Sequence, residues 1–265
     1  MALRNVLVKE VEAWGVTYER YALGRKLLQL TNKYAIQTVA EMPAHGAKAM
    51  PSIYSIGFGL AGADITLING IDTYDQCWKQ LGLGSKVTFL TVGSLHDTNL
   101  PDSAFDMVWN FAYLPLDENH DKLVEEMKRI SKKYIAFFSV NHGNIGFHIH
   151  RFLHKILKVA WTHGDVYFNK QQNIVRFLTE HGLRIAEKGF VDCPIWPDSL
   201  GFRDMRLHRQ NISFDGTQWE SPYIENMAAG MFPLWIKCVY AWEKIPNLPF
   251  IKTWYAHINY VIGTK

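Results

Sequence analysis

Residues 86–116 read KVTFLTVGSLHDTNLPDSAFDMVWNFAYLPL, and this stretch carries the strongest indication of the fold. It contains two short apolar runs, Lys86–Thr91 and Phe105–Trp109, which are separated by a polar segment that includes Pro101. Short apolar runs bounded by turn residues are typical of strands that a parallel sheet buries on both faces. The stretch therefore predicts two neighbouring segments of one buried sheet.

The alternation of strands and helices continues on both sides of this stretch. Helical spacing of apolar residues marks Val11–Leu30 and Leu123–Ile130, and the last segment, His257–Ile262, alternates like an edge strand. Strands that alternate with helices predict an α/β fold with a doubly wound sheet. The remaining predicted elements are strands at Gln37–Glu41, Asp64–Asn69, Tyr134–Ser139 and Leu183–Val191, and helices around Phe147–Val159 and Gln171–His181.

Composition excludes several functional classes. Hydrophobic residues make up 48% and charged residues 20% of the 265 residues, which excludes a disordered chain. A net charge of +3, without a Lys/Arg cluster, gives no indication of nucleic-acid binding. Three widely spaced cysteines fit a reducing compartment, so we expect a cytoplasmic protein. The longest apolar stretch, Met227–Trp242, is too short to span a bilayer.

Aromatic residues and prolines distinguish the last third of the chain. Prolines interrupt the strand–helix alternation there, which predicts an insertion or lid. Its aromatic residues suit a cover over an apolar or aromatic small molecule, and they also allow peripheral membrane contact or a homodimer interface. The predicted parts are an N-terminal helical cap at 1–34, the core at 35–193, the insertion at 194–254 and a final core strand at 255–265.

Four phrases in the core resemble one enzyme family. AGADITLING (61–70), LPDSAFDMVW (100–109), EEMKRISKKYIAFFSVN (125–141) and HINYVIGTK (257–265) are similar to the strands of class I S-adenosylmethionine-dependent methyltransferases. The resemblance implies a Rossmann-like sheet, mostly parallel, with an antiparallel final strand. It also implies that S-adenosylmethionine is the cofactor and that methyl transfer is the activity.

The resemblance further implies where the cofactor binds. The loop that begins at Glu41 would contact the methionine part, Asn69 the ribose, and a residue after the third predicted strand the adenine. In a doubly wound sheet these positions are strand ends that meet in one crevice. The full set of predicted cofactor-binding residues is Glu41, Pro43, His45, Ala47, Asn69, Gly70, Ser94, Leu95, Asp97 and Asn110.

Three of these positions depart from the family pattern. The glycine-rich loop reads Glu41-Met-Pro-Ala-His-Gly-Ala47, an amide at Asn69 replaces an acid, and Ser94 replaces a second acid, with Asp97 nearby. Glycines would allow the backbone to approach the ligand closely, whereas proline fixes φ and removes an N–H. The alternative is therefore a methyltransferase-like protein without methyl transfer, either a binding or scaffold partner or a metal-assisted enzyme.

Histidines are concentrated just after the fifth core strand. His142 and His148 are the predicted catalytic residues, because an imidazole near neutrality can accept the acceptor's proton. His150 and His154 are four residues apart and would share a helix face, as a metal-ligand pair does. A third ligand would have to be His142, His163 or a carboxylate such as Asp165. We favour a polar helix face over a metal site.

One competing motif is rejected. Residues 57–62, GFGLAG, fit the GxGxxG dinucleotide fingerprint. The next strand starts at Asp64, which leaves no room for the long helix that would hold a pyrophosphate. We predict a helix end followed by a turn.

Overall fold

The computed structural model describes residues 8–45, 50–196, 200, 217–245 and 249–265. Strands and helices alternate along most of this length, as the apolar pattern predicts. The strands are β1 (Val8–Val11), β2 (Thr38–Glu41), β3 (Asp64–Ile68), β4 (Val87–Leu90), β5 (Phe105–Phe111), β6 (Ser131–Val140), β7 (Arg184–Val191), β8 (Thr217–Glu220) and β9 (Ile258–Thr264). The helices are α1 (Trp14–Tyr34), α2 (Ile56–Leu60), α3 (Asp75–Gln80), α4 (His120–Ile130), α5 (Ile145–Leu157), α6 (Gln171–Glu180), α7 (Pro222–Ala228), α8 (Leu234–Glu243) and α9 (Pro249–Tyr255).

Seven strands form the central sheet, in the order β4-β3-β2-β5-β6-β9-β7. The pairs β2–β3, β2–β5, β3–β4 and β5–β6 are parallel, and β9 is antiparallel to both of its neighbours. The predicted doubly wound sheet with an antiparallel final strand is therefore confirmed. The strand order reverses between β2 and β5, which creates a crevice at the carboxyl ends of these strands.

The prediction that the last segment is an edge strand is wrong. β9 lies between β6 and β7, and its residues from Ile258 to Gly263 are buried. The alternation is misleading because its polar members have partners inside the protein. Asn259 Nδ2 donates to the carbonyl of Asn169 at 3.0 Å, and the Tyr260 hydroxyl donates to Glu187 at 2.6 Å.

Each face of the sheet is covered by helices. Buried residues of α1 and α2 pack in one apolar cluster, and those of α4 and α6 pack in the other. On the first face α1 and α2 approach very closely, because a Cβ on Gly57 would lie 2.8 Å from the Cα of Gly24. The rejected fingerprint is indeed a short helix and a turn, in which Gly62 has a φ of +95° before β3 begins.

The predicted cap and insertion are connected by a second, two-stranded sheet. The chain enters through β1, a strand that the helical interpretation of the N-terminus missed, and β1 pairs in parallel with β8. The buried carboxylate of Glu12 then accepts hydrogen bonds from Arg20 in α1 and from the Ser221 hydroxyl, at 2.6 Å, before α7. The start of the chain is thereby tied to the insertion.

Aromatic side chains of the insertion pack on α1. The ring centroids of Trp14 and Trp196 are 4.3 Å apart, and Tyr21 lies 4.7 Å from Phe232 and 5.3 Å from Tyr240. These contacts account for part of the aromatic content as ordinary core packing. Among the described residues, no helix is both long enough and apolar enough to cross a bilayer.

Candidate functional site

The carboxyl ends of four parallel strands place most of the predicted cofactor residues along one edge of the sheet. In register, Glu41 of β2 faces Leu67 of β3 and Trp109 of β5, and Ile68 faces Leu90 of β4. Asn69, Asn110 and the loop after β4 follow directly from these strands. Open α/β sheets bind their ligands at such a crevice.

Glu41 is buried at this edge and is held by two donors in series. The Ser55 hydroxyl donates to Glu41 Oε2 at 2.6 Å, and Trp109 Nε1 donates to the Ser55 oxygen at 2.9 Å. Burial raises the pKa of Glu41 to about 7, although the Ser55 hydrogen bond acts in the opposite direction. The carboxyl group is thus able to take up or release a proton near neutral pH.

The loop after Glu41 is fastened to its neighbours by the backbone. Met42 N donates to the Trp109 carbonyl at 2.9 Å, and Ala44 N donates to the Ile68 carbonyl at 2.7 Å. The peptide bond before Pro43 is cis, and both Met42 and Pro43 are buried. The described part of this loop, 42–45, is therefore held to β5 and β3 by backbone hydrogen bonds. Ala47 lies outside the described residues.

His45 and Asn69 meet at the mouth of this loop. His45 Nδ1 lies 3.0 Å from the Asn69 carbonyl oxygen, and the half-buried His45 ring stands 5.8 Å from that of Tyr113. Asn69 has a φ of +53°, a conformation that asparagine tolerates, and its Oδ1 accepts from Val92 N at 2.7 Å. Its amide oxygen therefore positions the loop after β4.

The residues predicted to hold the adenine lie on that loop. Ser94 and Asp97 are exposed, and Leu95 packs against one of the apolar clusters. The Ser94 hydroxyl accepts from His96 N at 3.1 Å. An apolar side chain flanked by two exposed polar groups suits the edge of a flat heterocycle. Their predicted role stays a prediction.

Asn110 has a structural task that sequence reasoning did not assign. It is fully buried, and its Nδ2 donates to the Met42 carbonyl at 2.8 Å. Its Oδ1 accepts from Tyr113 N at 3.1 Å and from Leu114 N at 3.0 Å. One side chain thus joins the loop after β2 to the loop after β5, which determines the shape of the crevice.

The two predicted catalytic histidines lie together at the same sheet edge, beyond β6. Their ring centroids are 5.0 Å apart, with His142 half-buried and His148 exposed on α5. Burial, with a smaller contribution from the charge of Lys170, lowers the pKa of His142. His142 is accordingly neutral at neutral pH, the form that can accept a proton.

Farther along α5 a second group of histidines comes together. One ring nitrogen of each of His150, His154 and His163 lies within 4.8 Å of the other two. His150 and His154 are buried, His163 is half-buried, and the Trp161 ring contacts all three. The expectation that His150 and His154 share a helix face is met, because both belong to α5 one turn apart.

Sequence reasoning missed one buried cluster. His257 Nδ1 lies 2.9 Å from Glu19 Oε2 in α1 and 2.9 Å from Asp192 Oδ2. Asp192 directly follows β7 and His257 directly precedes β9, so the antiparallel pairing of those strands brings the two together. The predicted antiparallel final strand was the feature of the sequence that could have revealed this cluster. The cluster fastens α1 to the sheet.

Known structures share this architecture, whereas no sequence-family profile and no curated protein sequence matches the chain. A candidate sarcosine dimethylglycine methyltransferase from Galdieria sulphuraria is 15% identical over 91% of this chain and 84% of its own, with a TM-score of 0.51. Magnesium protoporphyrin IX methyltransferase from Synechocystis PCC 6803, solved with bound SAH, is 14% identical over 66% and 78%, with a TM-score of 0.50. The [4+2]-cyclase SpnF is 14% identical over 98% and 86%, with a TM-score of 0.52.

The sheet order and these likenesses establish the fold. The chain has the class I S-adenosylmethionine-dependent methyltransferase fold. The residues at the carboxyl edge fit the cofactor in their chemistry, because buried and exposed polar groups lie there beside an apolar side chain. They differ from the usual site in the fastened loop after Glu41 and in the amide at Asn69.

Proposed function

We propose that the chain transfers a methyl group from S-adenosylmethionine to a small, largely apolar or aromatic acceptor. The observation that carries this proposal is the central sheet, whose order and antiparallel β9 place Glu41, Asn69 and Asn110 at one carboxyl edge. Fold alone does not determine chemistry. The proposal therefore also depends on the polar side chains at that edge, which could contact the cofactor.

Three parts of the chain would hold the cofactor. The loop residues 42–45 would lie against the methionine part, and the Asn69 amide, whose oxygen orients Val92, would donate to the ribose. Leu95, next to Ser94 and near Asp97, would pack on the adenine. When bound, the cofactor supplies an electrophilic methyl group, so the chain's own work is to position the acceptor and exclude water.

His142 is the residue that we propose as general base. Its lowered pKa keeps the ring neutral at neutral pH, and its place just beyond β6 puts it on the same sheet edge as the cofactor residues. A neutral imidazole can take the proton that an oxygen, nitrogen or enolic carbon loses as it is methylated. The neighbouring His148 ring, 5.0 Å away, would disfavour a second positive charge beside it.

The acceptor class is inferred from the aromatic insertion. Trp196, Phe232 and Tyr240 already pack against α1, and Trp235 and Trp254 remain substantially exposed. Exposed aromatic rings favour a flat or apolar molecule. Nothing in the charge of the chain favours a nucleic acid as acceptor.

A second candidate keeps the fold without methyl transfer. The observation that favours it is the engaged amide oxygen of Asn69, together with the backbone-fastened loop at Ala44, since both differ from a site prepared for a ribose and a methionine. One structure with this fold, SpnF, carries the name of a cyclase. Under this candidate the edge would bind a different small molecule.

Calorimetric titration with S-adenosylhomocysteine and S-adenosylmethionine tests the proposal. Asn69→Asp keeps an oxygen for Val92 N and adds charge to the ribose contact, so we expect tighter binding by about 3- to 10-fold. Asn69→Gly keeps the positive φ but removes the amide, and should weaken binding by a similar factor. Asp64→Asn, at the opposite end of β3, is the matched control and should leave affinity unchanged.

The outcomes separate the two candidates. Micromolar binding that follows this order of variants supports the methyltransferase proposal. Absence of binding at millimolar ligand, in a chain whose circular dichroism is that of a folded α/β protein, contradicts it and favours the second candidate. Equal affinity in all three variants would contradict the assigned position of the ribose.

A further inference from the structure

The three histidines at the carboxyl end of α5 form a compact group that the proposed methyl transfer does not use. His150 and His154 are one helical turn apart, and their Nε2 atoms are 3.0 Å from each other. α5 ends at Leu157, and the next residue, Lys158, has a φ of +54° that reverses the chain. The reversed segment returns His163 to the helix, so that one nitrogen of each ring lies within 4.8 Å of the others.

Hydrogen bonding orients the middle ring of this group. His154 Nδ1 lies 3.0 Å from the carbonyl oxygen of Ala160 and 3.3 Å from that of Val159. A carbonyl can only accept, so these contacts assign the proton to Nδ1. The Nε2 lone pair of His154 then points toward His150. A backbone carbonyl that fixes the tautomer in this way is the usual support of a metal-binding histidine.

The spacing suits a tetrahedral metal ion. Zinc binds imidazole nitrogen at about 2.0–2.1 Å, which in a tetrahedron places two nitrogens about 3.3 Å apart. The observed 3.0 Å between His150 and His154 needs a shift of only a few tenths of an ångström. The His163 nitrogen, which lies within 4.8 Å of the others, has to approach by at most about 1.5 Å. Three imidazoles are also a donor set that zinc accepts, with a fourth position for water or a ligand.

The Trp161 ring packs against the three histidines, and a backbone hydrogen bond connects the segment after His163 to the loop after β5. The Trp161 ring centroid lies 5.6 Å from that of His150, 5.2 Å from that of His154 and 4.7 Å from that of His163. Two residues after His163, Asp165 N donates to the carbonyl of Pro115 at 2.7 Å. Pro115 belongs to the loop after β5, the loop whose Tyr113 faces His45.

We propose that His150, His154 and His163 bind one zinc ion per chain through their ring nitrogens, with the fourth position occupied by solvent or a ligand. The site is separate from the cofactor edge and does not depend on methyl transfer. The competing interpretation is a cluster of histidines joined by hydrogen bonds alone, with His150 donating to His154. That interpretation accounts for the 3.0 Å contact but requires no metal.

Zinc titration of the full, chelator-treated chain distinguishes the two. We expect one tightly bound Zn²⁺ per chain, and we expect Co²⁺ at the same site to show the strong visible absorption of a tetrahedral complex. His163→Ala is the main variant, because its half-buried ring can be removed with less risk to folding than either helix ligand. It should weaken zinc binding by more than about 100-fold. A residue that only hydrogen-bonds to a metal ligand costs at most about that much when it is removed.

Two further variants make the result decisive. His154→Ala should abolish the cobalt absorption, and His148→Ala, which removes an exposed histidine from the same helix, should leave both stoichiometry and absorption unchanged. A folded wild-type chain that binds no zinc overturns the proposal, as does zinc binding that persists in His163→Ala and His154→Ala. Loss of binding in His148→Ala would move the metal elsewhere and would overturn it equally.

Discussion

At the residue scale, the carboxyl group of Glu41 shows how burial and hydrogen bonding compete. Its position at the end of β2 removes it from water, while the Ser55 hydroxyl at 2.6 Å stabilises its charged form. Desolvation is the larger effect and raises the pKa to about 7. In the unfolded chain a glutamate titrates near 4.3. Folding therefore favours the protonated form.

This shift makes stability depend on pH in a stated direction. Because the folded pKa is the higher one, the stabilising contribution of protonated Glu41 is complete below about pH 4.3 and is lost as pH rises to about 7. The loss amounts to about 4 kcal/mol at most. Glu41→Gln removes the titration, so its free energy of unfolding relative to wild type should rise across that window. Urea denaturation at several pH values measures this, and parallel profiles would refute it.

The hydrogen-bonding roles of two loop asparagines could not be predicted from the sequence. Asn69 and Asn110 were both expected to touch the cofactor from their place after β3 and β5. The sequence could not show that Asn110 uses its whole amide on the backbone of Met42, Tyr113 and Leu114, because those partners come from two loops. Hydrogen bonds between loops depend on tertiary geometry, which local patterns do not contain.

At the element scale, the contact between α1 and α2 depends on the absence of side chains. A Cβ on Gly57 would lie 2.5 Å from the Gly24 carbonyl oxygen and 2.9 Å from Leu27 Cβ. Backbone atoms cannot move aside without displacing a whole helix. The two glycines are thus what allows the helices to pack against the same face of the sheet.

Gly57→Ala should therefore destabilise the chain by about 1–3 kcal/mol through overpacking. Gly93→Ala is the control, because a Cβ there has no other atom within 4 Å, and it should change stability by no more than about 0.5 kcal/mol. Thermal or urea unfolding of both variants measures the difference. Equal unfolding midpoints for the two variants would mean that α1 and α2 can move apart without loss of stability, which contradicts the prediction.

Element prediction succeeded where burial is uniform and failed where partners are distant. β5 and β6 are nearly continuous apolar runs, and both were found from sequence. β1 is only four residues with a charged centre, and it exists because β8, some 200 residues later, pairs with it. β9 was misassigned to the edge because the partners of Asn259 and Tyr260 lie in other elements.

At the scale of the whole molecule, one surface departs from an ordinary protein exterior. α5 exposes an apolar stripe at helical spacing, and Arg151, Lys155 and Lys158 lie exposed near it. Apolar residues flanked by positive charge are typical of a helix that lies on an anionic membrane. The exposed stripe consists of Ile145, Ile149, Phe152 and Ile156.

We expect the chain to sediment with vesicles that contain phosphatidylserine, and less with vesicles of phosphatidylcholine alone, because the basic residues add charge attraction. Phe152→Asp should abolish sedimentation, since Phe152 is 59% exposed at the centre of the stripe. Leu60→Asp, which changes an exposed apolar residue on α2, is the control. A stripe that instead joins two copies would show as a change of elution volume in Phe152→Asp without vesicle binding by wild type.

Hydrogen–deuterium exchange with saturating S-adenosylhomocysteine measures where the cofactor binds. We expect slower exchange in peptides that cover 42–45, 69–70 and 92–97, the loops at the carboxyl edge of β2, β3 and β4. Exchange at the opposite edge, around Asp64 and Phe105, should not change. Unchanged exchange in all three loops, or protection confined to α5, would contradict the proposed site.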